Sequence, residues 1–118
     1  MDTVEIKVEE GILEGEKKGE CLIFRGVPYA EPPVNENRFR GPLHKKPWKG
    51  VRKAVSFASK CPQADMSKDP FYGKEFYQDP RFPQPSSSED CLYLNIWAPA
   101  KPGKYPVAFW IHGGAFDH

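Results

Sequence analysis

The stretch that decides the fold is EDCLYLNIWAP at residues 89–99 together with VAFWI at residues 107–111. In the first part, Leu92, Leu94 and Ile96 recur at every second position, which predicts a strand with one buried face. The second part is apolar throughout, which predicts a central strand covered on both faces. A parallel central strand needs crossover segments of about a dozen residues or more, and only seven residues follow. We therefore expect an incomplete domain; the alternative is a small all-β domain with this strand inside a sandwich.

Two segments of different character precede this stretch. Residues 3–25 hold three short apolar runs, the first alternating with charged residues, which predicts an antiparallel meander with a polar turn at residues 15–19. Residues 26–85 carry ten of the prolines, and these exclude long regular elements. The aromatic side chains of this region favour an ordered, pinned loop, with a short helix at residues 71–77.

Composition limits the classes of function. The chain is 39% hydrophobic with a net charge of +1, which gives no overall electrostatic reason for a nucleic-acid or membrane partner. No apolar run approaches the roughly 18 to 20 residues of a membrane helix, and no secretion signal follows Met1. The cysteines and histidines lack metal-site spacing. We expect a cytoplasmic protein without metal or cofactor; a secreted one is the alternative if a signal peptide has been removed.

Residues 89–99 resemble, at every position, the second signature of the type-B carboxylesterase and lipase family. Upstream, FRGVPYA at residues 24–30 is similar to the FxGIPYA segment of that family, and further matching residues follow at family spacing. The resemblance implies the α/β class and the α/β-hydrolase fold. Residues 1–118 would then be an incomplete N-terminal part of a single domain, containing an antiparallel β-meander, a long proline-rich loop and the first strands of the central sheet.

The segment HGGAF at residues 112–116 resembles the oxyanion loop of this family. When a serine attacks an ester carbonyl, backbone N–H groups aimed at the resulting oxyanion lower the barrier by roughly 2.7 to 4 kcal/mol per donor. By resemblance, Gly114 and Ala115 supply these donors, and His112 and Gly113 position the loop. Without the signature upstream, two glycines after an apolar strand would predict only a turn.

The sequence contains no G-x-S-x-G nucleophile elbow, so none of its serines is expected to be the nucleophile. The resemblance implies a serine carboxylic ester hydrolase that acts on a small ester through an acyl-enzyme. Its triad would lie beyond His118, so this chain would need the remainder of the hydrolase domain and be inactive alone. Two alternatives stay open: a non-catalytic, cholinesterase-like binding protein, and an inactive fragment or subunit.

The resemblance also assigns two structural pairs. Cys61 and Cys91 match the residues that form the first disulfide in secreted members, so we expect them to be neighbours and leave their redox state open. Arg38 and Glu89 match a buried ion pair that joins the proline-rich loop to the signature strand. Loss of one partner of a buried pair costs about 3 to 5 kcal/mol.

The same loop bears on substrate preference. Cholinesterases place a tryptophan between the two cysteines, where its ring binds quaternary ammonium groups. This chain has no tryptophan there, and Arg81 beside Phe82 would repel a cation. The sequence therefore favours a general carboxylesterase over a choline-ester specialist.

Overall fold

The computed structural model describes residues 2–77, 79, 81 and 83–115. Five strands form one sheet: β1 (Asp2–Val8), β2 (Gly11–Lys18), β3 (Cys21–Pro28), β4 (Val51–Lys53) and β5 (Tyr93–Pro99). The order is β1-β2-β3-β5 with antiparallel neighbours, and β4 pairs in parallel with β2. Because β1 occupies one edge of β2, the other edge is shared by β4 at residues 12–14 and β3 at residues 16–18.

The predicted meander is confirmed, but the predicted turn over residues 15–19 is wrong. Strand β2 continues to Lys18, and the chain reverses at Gly19 and Glu20. Packing explains why a glycine occurs at this strand position, since a Cβ on Gly15 would lie 2.5 Å from Cδ1 of Phe24. The glycine is a strand residue that leaves room for the neighbouring ring.

The small core lies where β2, β3 and the residue after β4 meet. Its buried members are Leu13, Phe24 and Ala54, and the partly buried side chains packed against them are Val4, Val8, Leu22, Val27 and Trp48. The Trp48 indole N–H donates to the carbonyl of Ile12 at 3.0 Å, and the Trp48 backbone N–H donates to the carbonyl of Glu10 at 2.9 Å. This tryptophan therefore ties the proline-rich region to the sheet.

The proline-rich region is mainly loop, as predicted. It contains two 3-10 turns, Asn35–Asn37 and Met66–Lys68, and a π-helical turn at Gly73–Tyr77, within the segment where a short helix is predicted. The base of the loop over residues 61–85 is closed by the main chain, because the Lys60 N–H donates to the Ser86 carbonyl and the Ser88 N–H donates to the Lys60 carbonyl. The helical turns among the described residues include none that could span a bilayer.

The prediction of a central strand at residues 107–111 is wrong for the chain as described. Val107 is 90% exposed and Trp110 is 87% exposed, and these residues form no strand. A strand forms only when neighbouring backbone takes up its N–H and C=O groups. None of the described residues supplies that neighbour, so the apolar pattern alone does not produce a strand here.

Candidate functional site

An open cleft of about 680 Å³ lies where three parts of the chain meet. One wall is the loop at residues 57–63, the second is the face of the signature segment that carries Cys91, Tyr93 and Asn95, and the third is the segment at residues 111–115. Side chains alternate along a strand, so this face is opposite to the apolar face predicted from the sequence. The cleft therefore gathers several of the predicted site residues.

The predicted oxyanion segment forms the lip of this cleft. His112, Gly113 and Ala115 line it, whereas Gly114 does not. Ala115 has a φ of 53°, a left-handed conformation that is uncommon for a residue with a Cβ, and Gly114 has a φ of 126°. Within the described part of the chain, no acceptor takes up the N–H of Gly114 or of Ala115. Phe116, the last residue of the motif, lies outside the described residues.

His112 is oriented by its own neighbour. Its Nδ1 lies 2.7 Å from the carbonyl oxygen of Gly113, so the proton is on Nδ1, which donates to that oxygen. The residue is exposed at the mouth of the cleft. This contact links the His112 ring to the main chain just before Gly114.

Cys61 and Cys91 are free thiols on the cleft wall. Burial, followed by the neighbouring Cys61 thiol, raises the pKa of Cys91 to about 12, and both cysteines line the same cleft. Among the described residues, no group of three His, Cys, Asp or Glu side chains is arranged to hold a metal ion. The two cysteines therefore lie on the same cleft as thiols, and their redox state in the full-length protein stays open.

Arg38 and Glu89 form an ion pair, with Nε and Oε1 2.7 Å apart. The prediction that this pair is buried is wrong, since the two side chains are 50% and 46% exposed. Nothing among the described residues covers them, so water screens their attraction. The pair joins the proline-rich loop to the start of the signature segment at a small energetic gain.

Comparison with known proteins gives the chain its family. Residues 2–118 match the model of the carboxylesterase family. The chain belongs to the carboxylesterase family. Among its relatives, the acetylcholinesterase of Electrophorus electricus is 42% identical over 102 residues, and that of Bungarus fasciatus is 44% identical over 100 residues. These matches cover 84% and 83% of this chain but 16% of each relative.

Solved esterases share the fold of this carboxylesterase-family chain. A PNB esterase superposes with a TM-score of 0.80 at 34% identity, covering 96% of this chain and 22% of that one. A carboxylesterase of Geobacillus stearothermophilus superposes with a TM-score of 0.73 at 40% identity, covering 97% of this chain and 20% of that one. The predicted family and fold class are confirmed: the chain is the N-terminal part of an α/β-hydrolase fold and spans about a fifth of these esterases.

Tyr93 and Asn95 are cleft residues that sequence reasoning missed in this member of the family. The Asn95 side-chain oxygen accepts a hydrogen bond from the Gly26 N–H at 2.9 Å, at the irregularity in the pairing of β3 with β5. Gly26 has a φ of 69°, and a Cβ there would lie 2.8 Å from the Ser56 carbonyl oxygen. The alternation of side chains along residues 91–95 could have predicted their position, because it places Tyr93 and Asn95 on the same face as Cys91.

The charge of Arg81 is largely compensated. Its Nη2 lies 2.6 Å from Oδ2 of Asp79, and hydrogen bonds from Arg81 lower the pKa of that carboxyl group. An arginine paired in this way repels an approaching cation less than an isolated one. Phe82, the aromatic side chain considered as a weak cation site, lies outside the described residues.

Proposed function

We propose that the protein containing this chain is a serine carboxylic ester hydrolase. Residues 1–118 would form an incomplete part of a single α/β-hydrolase domain, and the nucleophile, its base and the orienting carboxylate would come from the rest of that domain. The serine attacks the carbonyl of a small ester, the alcohol leaves, and water releases the acyl group. Family membership supports the reaction class, and the lip of the cleft supports the part played by this segment.

The observation that carries the proposal is the geometry of Ala115. Its N–H belongs to a residue that lines the cleft, its φ is positive, and no described acceptor satisfies the group. A backbone donor held open at a cleft can stabilise the negative oxygen of a tetrahedral intermediate without reorganising during the reaction. In the proposed mechanism the Gly114 N–H is the second donor, and His112 and Gly113 hold the turn.

Two substitutions of Ala115 in the full-length protein test this role. Proline removes the N–H and does not fit the observed φ, whereas glycine keeps the N–H and fits it. We expect Ala115→Pro to lower kcat for a p-nitrophenyl ester by roughly a hundredfold to a thousandfold, and Ala115→Gly to stay close to the parent. If Ala115→Pro folds and keeps its kcat, Ala115 is not an oxyanion donor.

The coding sequence on both sides of these residues distinguishes the remaining alternatives. A G-x-S-x-G elbow with its serine supports the esterase, and an elbow that lacks serine supports a non-catalytic binding protein. The 118-residue chain alone is expected to show no turnover above buffer, because it contains no elbow. Turnover by this chain would require a nucleophile that is not recognised here.

We propose a general carboxylesterase instead of an enzyme dedicated to choline esters. The named relatives include acetylcholinesterases, but the loop between Cys61 and Cys91 has no tryptophan to bind a quaternary ammonium group. Because Asp79 pairs with Arg81, Arg81 repels an approaching cation only weakly. The absence of a tryptophan between the two cysteines is therefore the stronger reason for this preference. We expect kcat/KM to be higher for p-nitrophenyl butyrate than for butyrylthiocholine, and the reverse order would contradict this preference.

A further inference from the structure

Asn95 places an amide group at the wall of the cleft. The residue lies in β5 opposite Arg25 and Gly26, where β3 carries one extra residue in the pairing of the two strands. The Asn95 side-chain oxygen accepts the Gly26 N–H at 2.9 Å and so satisfies a backbone donor at this irregularity. Because only the oxygen end of an amide can accept from an N–H, this bond fixes which end of the side chain faces β3.

The other end of that amide is a hydrogen-bond donor. The Asn95 Nδ2 carries two N–H groups, and within the described part of the chain no acceptor takes up either of them. A serine, threonine or aspartate could accept the Gly26 N–H as well, so the bond to Gly26 alone does not require an amide. Because Asn95 lines the cleft and its oxygen is turned toward β3, Nδ2 is the polar atom that this side chain offers to the cleft.

Other polar side chains of the cleft already have partners. The Tyr93 hydroxyl donates to Oδ2 of Asp90 at 3.1 Å, and Nε2 of Gln63 donates to the Cys61 carbonyl at 3.1 Å. Three further side chains of the lining are engaged as well: Ser59 with the Ser86 hydroxyl, Lys60 with the ring of Tyr77, and His112 with the Gly113 carbonyl. The Asn95 amide is therefore a donor of fixed orientation whose N–H groups are both unused.

The remaining lining is largely apolar and includes Phe57, Ala58, Pro62, Pro85 and Ile111. In a mainly apolar cleft, a fixed polar group favours ligands that present a matching group, because a mismatch leaves one partner unpaired. We propose that the Asn95 amide donates to an acceptor oxygen of the substrate outside the scissile ester group, such as an ether oxygen in the acyl chain or in the alcohol. Asn95 is then a specificity-determining residue, a role that rests on the proposed ester hydrolysis.

Three esters of matched shape test this role in the full-length protein, with acid release followed in a pH-stat. Butyl butyrate has no acceptor outside its ester group. Butyl methoxyacetate carries an ether oxygen in place of one CH2 group of the acyl chain, and 2-methoxyethyl butyrate carries it in the alcohol. The kcat/KM of each ether ester is divided by that of butyl butyrate. This ratio is compared between each variant and the parent, so that the intrinsic reactivity of each ester cancels.

Asn95→Asp keeps an oxygen for the Gly26 N–H and replaces the NH2 group with a second oxygen. We expect it to lower the ratio of one ether ester by about tenfold, because the ether oxygen loses its donor and faces a negative charge. The ether ester that responds identifies whether the acyl chain or the alcohol meets Asn95. Asn95→Ala removes the donor without adding a charge. It should lower the same ratio by at least about threefold, and it serves if Asn95→Asp fails to fold.

The matched control is Gln63→Glu, which puts the same charge on the same cleft in place of an amide that already donates to the Cys61 carbonyl. We expect both ratios to stay within about twofold of the parent, since only the screened charge acts. If Asn95 acts only through its bond to Gly26, Asn95→Ala lowers stability in urea unfolding and leaves both ratios unchanged, which overturns the proposal. Equal losses in Gln63→Glu also overturn it. A parent that hydrolyses none of the three esters refutes the proposed function itself, whereas hydrolysis with unchanged ratios refutes only the role of Asn95.

Discussion

The sequence pattern predicts that Gly15 lies in a turn, whereas in the structure Gly15 is a residue of β2. In Gly15→Ala, the new Cβ would lie 2.5 Å from Cδ1 of Phe24 and 2.6 Å from the Ile23 carbonyl oxygen. Carbon atoms normally approach to about 3.5 to 4.0 Å. The Phe24 side chain is only 4% exposed and the oxygen belongs to the backbone of β3, so neither atom can move away freely.

Overpacking of this kind costs roughly 1 to 3 kcal/mol. Alanine returns at most about 1 kcal/mol by restricting the unfolded chain. We therefore expect Gly15→Ala to lower the free energy of unfolding by about 1 to 2 kcal/mol, measured by urea unfolding with tryptophan fluorescence as the signal. The smaller side chain of Phe24→Leu should recover part of that loss when the two substitutions are combined.

The control for this experiment is Gly41→Ala. No atom lies within 4 Å of a Cβ built on Gly41, and its φ is not positive. We expect a change within about 0.5 kcal/mol. If Gly15→Ala is as stable as Gly41→Ala, the packing of Gly15 against Phe24 is refuted and the turn assignment is restored.

Three further outcomes are expected. Arg38→Ala should cost no more than about 1 kcal/mol in urea unfolding, because its ion pair is half exposed; a loss of about 3 kcal/mol or more would mean that the pair is buried in the native protein. Alkylation of reduced Cys91 at pH 8, followed by peptide mass spectrometry, should be at least about tenfold slower than alkylation of a cysteine in an unfolded peptide, since burial raises the pKa of Cys91 and keeps it protonated, and the rate should rise with pH; rapid labelling would contradict this. Gly26→Ala should lower the melting temperature more than Gly50→Ala, because both glycines have positive φ but only the Cβ at Gly26 meets backbone, the Ser56 carbonyl oxygen; equal shifts would show that only the backbone strain matters.

Periodicity predicted the elements whose partners lie nearby in sequence. The meander follows because β1, β2 and β3 are joined by two-residue turns, so each strand finds its neighbour locally. The segment at residues 107–111 has an equally clear apolar pattern and yet forms no strand. An apolar pattern reports a tendency toward burial, whereas a strand also needs backbone partners that other parts of a chain must supply.

The candidate site was predicted in part and for a different reason. Resemblance alone placed His112 and Ala115 in one motif, since two glycines after an apolar run otherwise indicate a turn. The family resemblance also predicted the pairing of Arg38 with Glu89. The exposure of this pair depends on which atoms cover it, and no local sequence pattern indicates those atoms. Asn95 lies on the face of β5 opposite the apolar one, and its bond to the Gly26 N–H joins residues far apart in sequence, which no local pattern predicts.

Main-chain hydrogen bonds of Lys60 with Ser86 and Ser88 close the base of the loop over residues 61–85, and the residues next to this base line the cleft. The distance between the ends of this loop is set at its base, so the residues between Gln63 and Pro85 can change without moving β5 or the cleft wall. Doubling the length of a flexible loop costs only about 0.6 kcal/mol in closure entropy. This segment is therefore a part of the chain that can be lengthened, shortened or exchanged to alter what approaches the cleft while the scaffold behind it stays the same.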